Sequence, residues 1–349
     1  MATNFLYDIR DHLFIYKEWL DLEKLLSFDT YKDYYTIDDI DTYLNLALKI
    51  SKEVLAPVND DADKIGAVFL DGKVSTPASF KNAYQTIMEA GLGPQMGDRD
   101  AEGKLPLAIY GSLCELFTAS CSTLAQYWGL AAGALSIIQK YGDDRIKDLY
   151  LPKMISGEWG GTMNLTEAGA GSDVGDVSTK AFPTESPGIY KIKGTKQFIS
   201  SGDHDLTNNI IHLVLARIDG AKPGTAGLSL FIVPKYWVNE DGTMGSFNDV
   251  QTLGIEHKLG FKGSATCTLS YGENDECYGV LLGDPPGEDG KGAGIAQMFD
   301  MMNEERLNVG QMSAGHAGLA YYNSLAYAKE RIQGRPITDL RGARVPLIK

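Results

Sequence analysis

The sequence predicts an α+β multidomain protein: a helical N-terminal domain over residues 1–157, a β-barrel middle domain over 158–282 and the start of a C-terminal helical bundle over 283–349. Three observations carry this reading. Apolar residues recur at helical spacing through the first part of the chain. Short strand-like runs broken by Gly, Asn and Asp follow from Trp159, and helical periodicity returns after Gly290. A chain of 349 residues has room for two or three folded units.

Taken in order, the residues before 36 carry Phe14, Leu20, Leu22, Leu25 and Leu26 among many Tyr and Asp, which predicts a docked helical extension. From Ile37 to Leu55, the residues Ile40, Leu44, Ala47, Leu48 and Leu55 fall near helical spacing, and Pro57 is expected to stop the run. Further helices are expected near 79–91, 105–120, 123–140 and 143–155, the last capped by Asp143 after Gly142. Strands are expected at 190–200 (YKIKGTKQFIS), 210–217 (IIHLVLAR), 228–233 and 266–271. Residues 283–294 (GDPPGEDGKGAG) read as a loop between domains. The last residues, RGARVPLIK, follow two helices whose apolar faces need a partner. Two helices seldom bury a core unaided, so the chain is expected to be the front portion of a longer one, or a subunit completed by another.

Composition excludes several classes of function. Lys+Arg 32 against Asp+Glu 46 leaves a net charge of −14, which disfavours nucleic acid or an anionic membrane surface as the main partner. Cys114, Cys121, Cys267 and Cys277 form no Cys-x-x-Cys pair and have no nearby His, so neither a metal site nor a disulfide framework is expected. Asp8 and Asp11 interrupt the N-terminus before any signal-peptide core, and the stretch 124–138 is shorter than the roughly 18 residues of a membrane span. A cytoplasmic protein without a membrane span is expected. The five histidines stand singly; His204, between Asp203 and Asp205, reads as part of a polar turn rather than a cation site.

Residues 163–174 read MNLTEAGAGSDV, where the helical part hands over to the strands. Small residues let a backbone approach a flat ligand closely, and Thr166 and Ser172 offer hydroxyls to a ring edge or a phosphate. No G-x-G-x-x-G follows a strand, since GLGPQMG at 91–97 has the wrong spacing and follows a helix, and no Walker A motif is present. With Phe198, Ile199 and Ser200 closing the strand-like run 190–200, this segment resembles the acyl-CoA dehydrogenase family of flavoproteins. The family's hallmark is T-E-x-G-A-G-S-D, here Thr166 to Asp173, followed by a strand ending W/F-I-T/S. The order of the domains, YLPKMISGEW before the motif and EHKLG (256–260) after it fit the same family. The N-terminal extension and residues 201–217 look most like its branch of longer chains.

The resemblance implies FAD as cofactor, with Met163, Leu165, Thr166, Gly171, Ser172, Phe198, Ser200 and Arg331 as flavin-binding residues. Ser172 would be shared with the pantetheine of the acyl-CoA. Phe198 stands where many members carry Trp, and Arg331, in KERIQGR, aligns with an Arg that reaches the flavin of a neighbouring subunit. The Phe that usually follows that Arg is missing here.

Removing an α-proton while hydride leaves Cβ calls for a carboxylate held in an apolar site. On the helix expected from Gln297 to Ser313, residues Met298, Met301, Met302, Glu305, Val309 and Met312 form one stripe, and Gln297, Asp300, Glu304, Asn308 and Gln311 a polar one. Glu304 is therefore expected to be solvated, and Glu305 to be buried as an ion-pair partner or the catalytic base. Most family members place the base further along, past residue 349, and a minority place it just before the Arg that is Arg306 here. Asn303 and Arg306 match positions that approach the CoA thioester. The implied activity is dehydrogenation of an acyl-CoA to trans-2-enoyl-CoA, with electrons passed to an electron-transferring flavoprotein, by a homodimer or homotetramer. Three alternatives stand beside it: an acyl-CoA oxidase, a catalytically silent partner subunit, and a DNA-associated alkylation-response protein. The last conflicts with the acidic chain.

Overall fold

The computed structural model describes residues 5–97, 102–333 and 335–336. Eight α-helices are described: α1 (Arg10–Phe14), α2 (Leu22–Leu26), α3 (Ile37–Ile50), α4 (Ala56–Lys64), α5 (Ala78–Glu89), α6 (Leu107–Tyr141), α7 (Asp144–Ile155) and α8 (Gly294–Glu330). The strands are β1 (Val68–Leu70), β2 (Lys73–Ser75), β3 (Trp159–Asn164), β4 (Lys180–Pro183), β5 (Ile189–Ser200), β6 (Asn209–Ile218), β7 (Leu228–Pro234), β8 (Tyr236–Val238), β9 (Met244–Phe247), β10 (Val250–Ile255), β11 (Thr266–Tyr271) and β12 (Tyr278–Leu281), with a two-residue pair, β13 (Ile332–Gln333) and β14 (Arg335–Pro336), after α8. The order is helices, strands, helix, as the sequence predicts.

Packing divides the chain into two compact units. One gathers residues 1–57, 105–122 and 308–349; the other gathers 58–104 and 123–307. In the first, Leu22 and Leu26 are buried as expected, whereas Phe14 and Leu20 are exposed. Tyrosines anchor the extension instead: Tyr16 is buried and its hydroxyl donates to Ala108 O at 2.7 Å, and the Tyr7 hydroxyl donates to Glu115. An aromatic body with a polar tip satisfies both the apolar floor and the backbone carbonyl it meets.

Pro57 does not stop its helix. Thr36 and Asp39 form a reciprocal capping box at the start of α3, a π-helical turn occupies Ser51–Leu55, and α4 continues from Ala56 with Pro57 inside its first turn. The wider π-helical turn just upstream, where Ala56 N–H bonds back to Ser51 O, accommodates a proline that has no N–H to donate. The break expected between 120 and 123 falls at Cys121, whose φ −155° and ψ 79° interrupt α6. Asp143 caps α7, its carboxylate accepting from Ile146 N at 2.8 Å. The sequence reading places no membrane span, yet α6 is long and apolar enough by composition to cross a membrane; 72% of its most apolar stretch is buried inside the protein.

In the second unit, β5, β12, β7, β6 and β4 close a ring. The pairs β5–β12, β12–β7 and β7–β6 are antiparallel, β4 runs parallel to β6, and β4 returns antiparallel to β5. From this barrel, β11 and then β10 extend off β5, and β3 lies parallel to β6. Strand β6 is buried on both faces. Val214, Ala216 and Ile218 join Phe231 and Val233 in one core, while Ile211, Leu213 and Leu215 join Leu228, Leu230 and Ile232 in a second core with α6, α7 and the start of α8. This alternation follows from the two-residue period of a strand. The second core needs glycine at 161, because a Cβ there would stand 2.7 Å from Ala134 Cβ and 3.1 Å from Ala131 Cα. Gly161→Ala is expected to cost about 1–3 kcal/mol in chemical denaturation, and an unchanged midpoint would mean that α6 can withdraw.

Candidate active site

Strand β3 alternates two environments and delivers the first candidate segment. Gly161, Met163 and Leu165 face the helical core, with Met163 and Leu165 half-buried. Thr162 and Asn164 face the other way, where Asn164 Nδ2 donates to Thr162 Oγ1 at 2.7 Å and its Oδ1 accepts from the Tyr271 hydroxyl at 2.8 Å. Thr162 Oγ1 lies 2.7 Å from His212 Nδ1. Beyond Thr166 the chain folds into a tight turn in which Glu167 and Ala170 exchange both backbone hydrogen bonds at 3.0 Å. Ala168, Gly169, Gly171 and Ser172 are left exposed, and nothing stands within 4 Å of a Cβ built on Gly169. The turn is an open run of bare backbone.

The second segment ends β5. Opposite Thr268 of β11, the register skips from Lys196 to Ile199, so Gln197 and Phe198 form a bulge. Phe198 sits there at φ +61° with 56% of its surface exposed, a left-handed conformation that bulky residues rarely adopt. The bulge turns an aromatic ring out of a strand whose next residue, Ile199, is buried, and Ser200 follows half-buried.

The two segments are fastened together. Gln197 N–H donates to Thr166 O at 2.8 Å, and Lys196 Nζ donates to Leu165 O at 2.9 Å and Glu167 Oε1 at 2.8 Å. Glu167 also accepts from the amides and hydroxyls of Ser178 (2.7 and 2.6 Å) and Thr179 (3.1 and 2.6 Å). Burial opposes ionisation of Glu167, but the Lys196 ammonium and these donors override it and hold the carboxyl at about 2. Burial likewise draws Lys196 down to about 8 against the pull of Glu167, so the pair is charged at neutral pH.

On α8, Met298 and Met301 are buried and Met302 half-buried, in the same core as Met163 and Leu165. Glu305 is half-buried against α6, where a Cβ on Gly133 would stand 3.3 Å from its Oε1. Glu304 is not the solvated residue that the stripe predicts: it too is half-buried, and Ser136 Oγ donates to its Oε2 at 3.3 Å. Gln297, also placed on the polar stripe, is buried and donates to Leu282 O at 2.9 Å, while Val309 of the apolar stripe is 53% exposed. A two-sided stripe fails because this half of α8 meets α6 on one flank and β7 on another. Asn303 and Arg306 are exposed and bond each other, Arg306 Nη1 donating to Asn303 Oδ1 at 2.6 Å. Arg331 is exposed just past the end of α8, in the other compact unit.

The Glu167–Lys196 pair escaped the sequence reading, although the signal was present. Lys196 shares the face of Ile192 in the two-residue register of β5, and a lysine on an inward face needs a partner. The polar residues around His204 contain no cation site. Asp203 pairs with Lys235 and accepts from Thr252, Asp205 accepts from Thr76 and pairs with Lys81, and His204 is packed edge-on to Tyr127. Burial pushes both His204 and His212 down to about 3. Neither imidazole is expected to titrate above pH 5 in a histidine NMR titration; a midpoint near 6.5 for either would place it in water. Among the described residues, no three His, Cys, Asp or Glu side chains gather as a metal site.

The model of the acyl-CoA dehydrogenase middle domain matches residues 162–273. A butyryl-CoA dehydrogenase of Syntrophomonas wolfei subsp. wolfei is 56% identical over 99% of this chain and 57% of its own length. A broad-specificity linear acyl-CoA dehydrogenase of Mycobacterium tuberculosis is 36% identical over 98% of this chain and 55% of its own. The chain thus spans a little over half the length of these relatives. The structure of butyryl-CoA dehydrogenase from Megasphaera elsdenii superposes with a TM-score of 0.70 at 21% identity, over 90% of this chain and 75% of that one, which shows the shared fold. With its motif fastened between β3 and β5 on a closed barrel flanked by helices, this chain belongs to the acyl-CoA dehydrogenase family.

Proposed function

We propose that the full-length protein is a FAD-dependent dehydrogenase that converts a short-chain acyl-CoA, butyryl-CoA or a close analogue, to the trans-2-enoyl-CoA and passes the electrons to an electron-transferring flavoprotein. The observation that carries this reading is the fastening of residues 165–167 to residues 196–197, which brings the segment of Met163 to Ser172 beside the one that leads into Phe198 and Ser200. Members of the family are FAD-dependent flavoproteins, and the residues present fit the group. Met163 and Leu165 offer an apolar floor, Thr166 and Ser200 half-buried hydroxyls, Phe198 an exposed ring, and Gly169 and Gly171 open backbone for a flat ligand. When bound, FAD supplies the acceptor for the β-hydride.

The chain's own residues supply the rest. Ser172, exposed at the end of the turn, can hydrogen-bond both flavin and pantetheine. Glu305 removes the α-proton from a position flanked by Met301, Met302 and Gly133, where an apolar surround favours a base matched to a weak carbon acid. Asn303 and Arg306 stand on the exposed flank of the same helix turn, available to the thioester end. The relatives named butyryl-CoA dehydrogenase, at 56% and 52% identity, support the short chain length. The same reading gives a cytoplasmic homodimer or homotetramer, with Arg331 directed to a neighbouring subunit's flavin.

Anaerobic addition of butyryl-CoA to the purified full-length protein is expected to bleach the visible flavin band, more completely than a long-chain acyl-CoA does. No bleaching with any acyl-CoA would overturn the reading. Hydrogen peroxide formed in step with aerobic turnover would replace the dehydrogenase by an oxidase.

A further inference from the structure

Lys196 is the one lysine among the described residues with no exposed surface, and it sits in the middle of a strand of the barrel wall. A fully buried ammonium is costly to keep even when paired, so its retention asks for a role. Its contacts are specific. One goes to Glu167 and the other to the backbone carbonyl of Leu165, the residue just before Thr166.

The second contact fixes a direction. A trans peptide is planar, so its C=O and N–H point opposite ways. With Leu165 O drawn inward to Nζ, the N–H of Thr166 must point away from the buried pair. It takes no partner among the described residues, while the next carbonyl, Thr166 O, is claimed by Gln197 N–H. Both peptides flanking Thr166 are thereby set by one short stretch of β5, residues 196–197, immediately before Phe198.

We propose that Lys196, acting with Glu167, is a positioning residue that fixes the Leu165–Thr166 peptide and holds it in register with the Phe198 bulge, so that the flavin meets a preformed surface. This rests on the flavoprotein reading above. Its distinguishing feature is that Lys196 serves the ligand beyond what it does for the barrel. Neutral replacement of the pair should repair folding without repairing the site, because apolar groups of similar volume can substitute for a buried ion pair but cannot hold a carbonyl.

The test is the full-length double variant Lys196→Met with Glu167→Gln, compared with wild type for apoprotein thermal melting, FAD affinity by fluorescence and the shape of the bound visible band. The expected result is melting close to wild type, FAD affinity weakened about tenfold or more, and an altered band. Wild-type affinity and band shape in a folded double variant would overturn the proposal. As a second arm, Lys196→Ala is assayed with and without ethylammonium, which is expected to restore affinity and band shape together. Failure of that rescue in folded protein, or failure of both variants to fold, would make the pair purely structural. If wild type itself binds no FAD, the flavoprotein reading falls first and takes this proposal with it.

Discussion

Glu305→Gln is expected to slow flavin bleaching by butyryl-CoA about 10³-fold while FAD stays bound, the size of effect that loss of a positioned general base produces. The replacement is isosteric, so the packing against Gly133 and the neighbouring methionines should survive. The adjacent Glu304→Gln is the control. Its carboxylate accepts from Ser136, so the amide is expected to alter bleaching by no more than about threefold, through lost hydrogen bonding alone. Stopped-flow absorbance under anaerobic conditions reads both. Equal bleaching by wild type and Glu305→Gln would leave the dehydrogenase reading intact and assign the base to another residue, with Glu305 kept for packing.

Glu167→Gln is expected to destabilise the barrel by about 3–5 kcal/mol, because it strands the Lys196 ammonium where no water reaches it. The pH dependence has a defined sign. Glu167 is held at about 2 when folded against an ordinary value of 4.5, so its contribution is complete above pH 4.5 and is lost as pH falls towards 2. His204 and His212 add in the same direction, since each is held neutral down to about pH 3 when folded but charges near 6.5 when unfolded. Stability should therefore fall on acidification from about pH 6.5 downward, in two overlapping stages. Urea midpoints between pH 7 and pH 3 measure this, and Glu167→Gln should flatten only the lower stage. A wild-type midpoint that is constant to pH 4 would show that the histidines are hydrated.

The helical half of the fold was written plainly in the chain. The Asp143 cap was readable because one residue type at one position decides it, and the break at Cys121 falls where the two helical runs of the sequence part. Long strands such as β6 announced themselves by unbroken β-formers. Short ones did not: β3 (WGGTMN) has two glycines and no alternation, so only its parallel neighbour β6 identifies it. The β1–β2 hairpin was legible yet overlooked, since Asp71 and Gly72, with φ 49° and 74°, are the Asp-Gly pair that such turns require. Pro57 misled because a π-helical turn upstream resets the register. At the site, the motif gave the right segments. What joins them could not be read from spacing, because Glu167 and Lys196 are 29 residues apart and meet only through the bulged register of β5.

The ring closes through β4, a strand of four residues that pairs with β6 at only two positions, Lys180 with Arg217 and Ala181 with Ile218. The chain enters that strand from Ser178 and Thr179, the residues whose amides Glu167 grips. Parting β4 from β6 at this two-pair ladder therefore strains the grip of Glu167 on the residues that lead into β4, and it would bare the edge of β4 and the end of β6 near Arg217 and Ile218. The carboxylate beside the candidate flavin segment is thus also a latch on the closure of the barrel, and hydrogen exchange at the Ser178 and Thr179 amides would report its release.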